Sequence, residues 1–204
     1  MAPARVVRVD ATAPDLGVLE EAARILRAGG LVAFPTETFY GLGAAGLAAA
    51  AARRVFEAKG RPASMPLLLL VDSRAMAAAI TLEIPPRARE LMDRHWPGAL
   101  TLVLRAAARV PDAVTAGTGT VGVRVPAHPV ARGLVRALGE PVTAPSANPT
   151  GAPPPSTADE VVAGLGGAVD LVLDAGPTPG GAPSTVLDVT VDPPRVIRQG
   201  AVLV

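Results

Sequence analysis

Apolar residues recur along this chain in two periods. Leu16, Leu19, Ala22, Ala23 and Leu26 fall three or four apart, the spacing that draws one apolar stripe along a helix. Pro14 suits the first turn and Gly29 the stop, so a helix is predicted between them. Leu31 to Pro35 is a short apolar run, read as a strand, and Thr36 to Gly46 is read as a glycine-rich loop. Leu47 to Ala58 consists of strong helix formers and ends at Lys59-Gly60-Arg61-Pro62. A strand follows near Leu67. Ser73 can cap a short helix to Ile80, and Pro85-Pro86 opens another that runs to His95. Pro129 to Leu138 reads as a helix stopped by Gly139. Thr157 and Glu160 have capping-box spacing ahead of a helix from about Ala158.

Short runs predict the remaining strands: Arg5 to Val9, Leu100 to Leu104, Thr120 to Val125, Val142 to Ala144, Leu171 to Leu173, Val186 to Thr190 and Val196 to Arg198. Val110 to Gly119 reads as a loop. Strands alternate with helices early and crowd together late. That order predicts an α/β fold with a mixed sheet, in one domain over residues 1–204. The Pro/Gly clusters at 149–155 and 176–183 have the length of loops over a site.

Composition narrows the chemistry. Net charge is +1, with 18% charged and 2% aromatic residues, which argues against a dominant electrostatic or stacking grip on nucleic acid. The chain has no cysteine, which removes disulfides, thiolate catalysis and cysteine zinc sites. His95 and His128 lie far apart and outside any HExxH pattern. No signal-peptide core and no run of about 18 apolar residues occurs, so a soluble cytoplasmic protein is expected.

Lys59 is the only lysine in a chain otherwise rich in arginine. A lone lysine in so arginine-rich a chain either is one that arginine does not replace, because an ammonium is a compact point charge and a guanidinium a planar fork, or simply satisfies the dipole at the helix end. Lys59 and Arg61 flank a glycine, so both cations can serve one polyphosphate. Ser146 and Asn148, two apart after a strand, add neutral hydrogen-bonding groups or simply build a turn. Arg124 ends an apolar strand and either pairs with a carboxylate or receives an anionic ligand. Two segments match G-x-G-x-x-G, Gly41 to Gly46 and Gly117 to Gly122. The second runs into a strand. The first lacks both the tight turn and the acidic residue about 20 positions on that a dinucleotide site needs. No P-loop pattern is present.

Six segments together closely resemble the YrdC-like threonylcarbamoyl-AMP synthase family. They are Phe34-Pro35-Thr36-Glu37-Thr38 with Tyr40-Gly41-Leu42-Gly43, Lys59-Gly60-Arg61-Pro62, Thr120 to Pro126, Pro145-Ser146-Ala147-Asn148, Pro183-Ser184-Thr185-Val186 and Ile197-Arg198-Gln199-Gly200. The resemblance covers about residues 15–202 and is most specific in the paired K-x-R and S-x-N; it fits the short, single-domain form. It implies a twisted mixed α/β sheet with an open basic cavity. It implies synthesis of threonylcarbamoyl-AMP from L-threonine, bicarbonate and ATP, with pyrophosphate released and Mg²⁺ on the phosphates. Downstream transferase proteins would pass the group to tRNA, which this chain would itself touch only weakly. By the same resemblance ATP meets Lys59, Arg61, Met65, Thr120, Ser146, Asn148, Pro154 and Arg198, with Lys59 and Arg61 acting on the reacting phosphates. Threonine meets Thr38, Arg124, Ala144 and Ser184. No metal-ligating side chain is singled out. The family often has Asn or His where Met65 stands, and sometimes His where Leu70 stands, so one polar contact to each substrate is missing here. Two other readings share these residues: a carbamoyl-adenylate-forming enzyme with a different acceptor, and an RNA-binding module that uses the cavity without catalysis.

Overall fold

The structure is a computed structural model and describes residues 4–204. The elements in order are β1 (Arg5–Arg8), α1 (Leu16–Arg27), β2 (Val32–Phe34), β3 (Gly41–Gly43), α2 (Ala49–Lys59), β4 (Leu68–Leu70), α3 (Arg74–Ala79) and α4 (Pro86–His95). They continue with β5 (Leu100–Arg105), α5 (Asp112–Thr115), β6 (Thr120–Arg124), α6 (Pro129–Leu138), β7 (Val142–Thr143), α7 (Ala158–Leu165), β8 (Leu171–Asp174), β9 (Thr185–Asp188) and β10 (Arg195–Arg198).

The capping chemistry explains most helix bounds. Helix α1 begins at Leu16, so Pro14 stands ahead of its first turn, and Asp15 caps it with a carboxylate that accepts from the Val18 amide at 3.0 Å. Ser73 caps α3 in the same way, and Thr157 with Glu160 completes the capping box of α7. Gly60 and Gly139 end α2 and α6 in the left-handed conformation that a side chain disfavours. Leu19, Ala22, Ala23 and Leu26 are all buried, as the apolar stripe predicts. Helix α6 lies on that stripe through Gly133, where an added Cβ would come within 2.7 Å of Leu19 Cδ1.

The strands are mixed, and they divide into two sheets rather than one. The smaller has the order β1-β8-β2-β3, and the larger β10-β9-β5-β6-β4-β7. Single pairs, Gly41 with Ser146 and Ala45 with Val142, join them at β3 and β7. Strand β3 and the one-turn helix α5 lie in segments read from sequence as loops. Both are too short and too glycine- or proline-flanked to show a period. Gly41 to Gly43 therefore pair with β2 as a strand and do not form the phosphate loop of a dinucleotide site.

The junction between the sheets is tight. A Cβ on Gly43 would stand 2.8 Å from the Phe34 ring, 2.9 Å from Val142 Cγ1 and 3.1 Å from the Val32 carbonyl. Gly43→Ala is expected to destabilise the fold by about 1–3 kcal/mol through overpacking. Urea unfolding followed by circular dichroism measures this, and an unchanged midpoint would show that the junction yields.

Candidate active site

One face of the larger sheet forms the floor of a cavity of about 850 Å³. Register places Leu68, Gly122, Val103 and Asp188 side by side across β4, β6, β5 and β9. All four line the cavity. Thr101 and Val186 form part of the next row, with Arg198 opposite Val186. At β10 the ladder skips a residue between Val196 and Arg198. Alternation along a strand sends neighbours to opposite faces, and a bulge cancels one step of it. Ile197 and Arg198 consequently both line the cavity.

The walls come from loops. Thr36 closes its own turn: its hydroxyl donates to the Phe39 carbonyl at 2.7 Å and accepts from the Thr38 amide at 3.1 Å. Thr38 and Thr36 are buried, and both line the cavity. Arg61 follows the left-handed Gly60 and folds the next turn by donating to the Met65 carbonyl at 3.3 Å and the Pro66 carbonyl at 3.0 Å. It makes no ion pair among the described residues, and burial pushes its guanidinium down from the ordinary arginine value.

Ser146 and Asn148 sit on a loop that five hydrogen bonds hold. The Ala147 amide donates to the Tyr40 carbonyl at 2.8 Å. The Asn148 amide nitrogen donates to the carbonyls of Pro149 at 3.0 Å and Ala152 at 2.7 Å. Lys59 Nζ donates to the carbonyls of Ser146 and Asn148, each at 2.5 Å. The Asn148 side-chain orientation is thus fixed, and its Oδ1 is buried without a partner. A buried acceptor left empty costs free energy unless a ligand supplies a donor or a cation.

Of the residues to which the family resemblance gives a role, Lys59 alone does not line the cavity; Arg61, Met65, Thr120, Pro154, Ala144 and the rest do. Lys59 is 4% exposed and stands behind the loop. Burial first, and the Arg61 charge second, push its ammonium down to about 8. It therefore stays protonated at neutral pH, when both carbonyls receive a charged donor. Leu70 also lies away from the cavity, fully buried in β4, so its side chain takes no hydrogen bond from any ligand there.

Arg124 takes one of the two alternatives open for it in the sequence, the pair with a carboxylate. Its Nε donates to the Gly98 carbonyl at 3.1 Å, and its Nη2 lies 2.6 Å from Glu37 Oε1 in a contact ion pair without hydrogen-bond alignment. The residue nevertheless lines the cavity. Burial raises the Glu37 pKa, but the Arg124 charge, with lesser help from nearby backbone amides, outweighs it and holds the carboxyl below its ordinary value. Beside Arg124, Arg198 donates to the Ser184 carbonyl at 2.8 Å and to its hydroxyl at 3.1 Å. Burial and then the Arg124 charge push the Arg198 guanidinium down, although its side chain still reaches solvent. The Ser184 hydroxyl also meets that of Thr101 at 3.1 Å.

Thr101, Asp188 and Arg195 line the cavity and were given no role from sequence; only the sheet register brings them there. A second cleft of about 480 Å³ next to α3 and α4 contains none of the residues singled out above, and its Arg74 and Asp93 pair with each other.

The fold and cavity define an α/β protein with a pocket lined by arginine, hydroxyl and amide groups. Residues 24–200 match the family described as "Telomere recombination", comprising Sua5, YciO and YrdC. The chain is 46% identical over 179 residues to a threonylcarbamoyl-AMP synthase of Pyrococcus abyssi, a match that covers 88% of this chain and 53% of that protein. It is 44% identical over 188 residues to the threonylcarbamoyl-AMP synthase of Bacillus subtilis, covering 90% of this chain and 54% of the relative. The structure of P. abyssi Sua5 complexed with L-threonine superposes with a TM-score of 0.92 at 43% identity, over 96% of this chain and 57% of that one. The chain belongs to the Sua5/YciO/YrdC family. It spans about half the length of these two curated relatives.

Proposed function

We propose that this chain is an L-threonylcarbamoyl-adenylate synthase acting as one domain in the cytoplasm. The observation that carries the reading is the charge layout of the cavity. Arg61 and Arg198 have no carboxylate partner among the described residues, while Arg124 is half-compensated by Glu37. The first two suit a triphosphate and the third a single carboxylate.

In this reading the threonine carboxylate lies at Arg124, with Thr38, Ala144 and Ser184 around the rest of the amino acid. The threonine amine attacks the carbonyl carbon of bicarbonate, and water leaves to give a carbamate. A carbamate oxygen then attacks the α-phosphorus of ATP, and pyrophosphate departs. Both reactants are anionic, so the residues act chiefly by positioning and by placing positive charge where charge develops. Arg61 and Arg198 supply that charge directly, and Thr120, Ser146, Met65 and Pro154 confine the nucleotide. Lys59 supplies its charge from behind the Ser146–Asn148 loop. Among the described residues no group of three or more ligating side chains could hold a metal by itself. The orphaned Asn148 Oδ1 fits a phosphate-borne Mg²⁺ and would hold it, and the ion would neutralise phosphate oxygens.

The test is pyrophosphate release from ATP by the purified chain. It is expected only when threonine and bicarbonate are both present. Release that ignores either one sinks the reading. Transfer to tRNA would fall to downstream transferase proteins. With a net charge of +1 and 2% aromatic residues, this chain is expected to bind tRNA weakly and in a salt-sensitive manner. Sub-micromolar, salt-resistant retention in a filter assay would contradict that.

A further inference from the structure

Glu37 is mostly buried, and its carboxylate makes a 2.6 Å contact with Arg124 at one corner of the cavity. It does not itself line the cavity, so it contributes charge without touching a ligand. The same cavity is lined by Arg198. Arg198 is held on Ser184, close enough to Arg124 to feel its charge. Without Glu37, Arg124 would present a full charge to the cavity, and an uncompensated guanidinium binds phosphate or sulfate as readily as a carboxylate. The proposed reaction fills the same cavity with phosphate groups and with a carboxylate, so the two must be sorted.

We propose that Glu37 is a specificity-determining residue: its carboxylate offsets the charge of Arg124, so that Arg124 accepts a monoanionic carboxylate and leaves phosphate-like dianions to Arg61 and Arg198. The proposal rests on the threonine and ATP placement given above. The groups that face Glu37 agree with such a role. Arg124 meets it on one side, and the backbone around Ala127 lies on the other. His128 feels its charge, but burial holds that imidazole below its ordinary pKa, so it adds little positive charge at neutral pH. With Glu37 made neutral, Arg124 keeps its Gly98 tether and loses only its counter-charge.

The probe is inorganic sulfate, with chloride at matched ionic strength as the control and ATP held saturating. In the wild type, sulfate is expected to compete with ATP and to leave the threonine KM within about twofold. In Glu37→Gln the threonine KM is expected to rise at least about fivefold over the same sulfate range, the effect of uncovering one neighbouring charge in a half-screened site. Glu37→Asp keeps the charge and is expected to remain indifferent to sulfate. A raised threonine KM in Glu37→Gln that does not respond to sulfate means that Glu37 only holds Arg124 in place, and it overturns the proposal. So does a wild-type or Glu37→Asp threonine KM that climbs with sulfate, an arm that stands even if Glu37→Gln fails to fold. Calorimetry with sulfate alone separates this idea from the enzymatic reading. A sulfate site gained in Glu37→Gln supports the charge role even if no threonine-dependent turnover is found, and equal sulfate binding by both proteins overturns it.

Discussion

Lys59→Arg is expected to lower kcat by at least about tenfold, on the order of 1.4 kcal/mol, and to lower the melting temperature as well. The sequence suggests an ammonium working directly on phosphate oxygens, where exchanging one cation for another leaves the fold alone. The structure moves the argument one layer back. Lys59 Nζ fills a buried gap between two carbonyls at 2.5 Å, and its own carbonyl accepts from the Thr150 amide at 2.8 Å. A guanidinium is broader and planar, and it cannot enter that gap without pushing the loop outward. Overpacking of this kind costs about 1–3 kcal/mol. The displaced loop is the one that carries Ser146 and Asn148 into the cavity, so turnover falls with it. Pyrophosphate release and circular dichroism melts on wild type and mutant measure the two effects. A mutant that loses turnover with an unchanged melt would place the ammonium on the substrate rather than under the loop. A mutant normal in both would make the lone lysine a compositional accident.

Arg124→Ala is expected to raise the threonine KM roughly ten- to hundredfold, the loss of one charge-assisted hydrogen bond worth about 1.5–3 kcal/mol. It should also destabilise the protein, because Glu37 then remains as a buried carboxylate without its counter-ion; removing one partner of such a pair costs about 3–5 kcal/mol. The double variant Glu37→Gln, Arg124→Ala separates the two losses. Stability should recover in part, since a neutral amide is cheaper to bury, while the threonine KM stays high. A double variant that recovers threonine affinity along with stability would show that Arg124 supports the fold and does not hold the carboxylate. ATP affinity serves as the internal control and should move much less than that for threonine.

The elements legible from sequence are those fixed by neighbours in the chain. The stripe from Leu19 to Leu26, the Ser73 cap, the Thr157–Glu160 box and the left-handed stops at Gly60 and Gly139 all depend on residues within one or two turns. Local spacing also made the Lys59-Gly60-Arg61 turn and the Ser146–Asn148 pair visible as candidate chemistry. Strand β3 was not legible, because Gly41 to Gly43 carry almost no side-chain pattern and pair only through backbone groups. The division of the strands into two sheets was hidden for a related reason. It depends on which strand edges meet, as at Ala45 with Val142, and hydropathy along one strand does not encode its partner.

Within the site, sequence supplied the identities of the charged groups, and tertiary structure decided their employment. Nothing near Arg124 in the chain announces that Glu37 will neutralise it, since the two meet only after β2 and β6 are placed. Nothing near Lys59 shows that its ammonium will be spent on the carbonyls of Ser146 and Asn148. The skip at Ile197 appears only against the register of β9, and it is what turns Arg198 toward the cavity. Coulomb energy and hydrogen bonding depend on distance through space, so a charge acquires its role only when the folded chain has selected its neighbours.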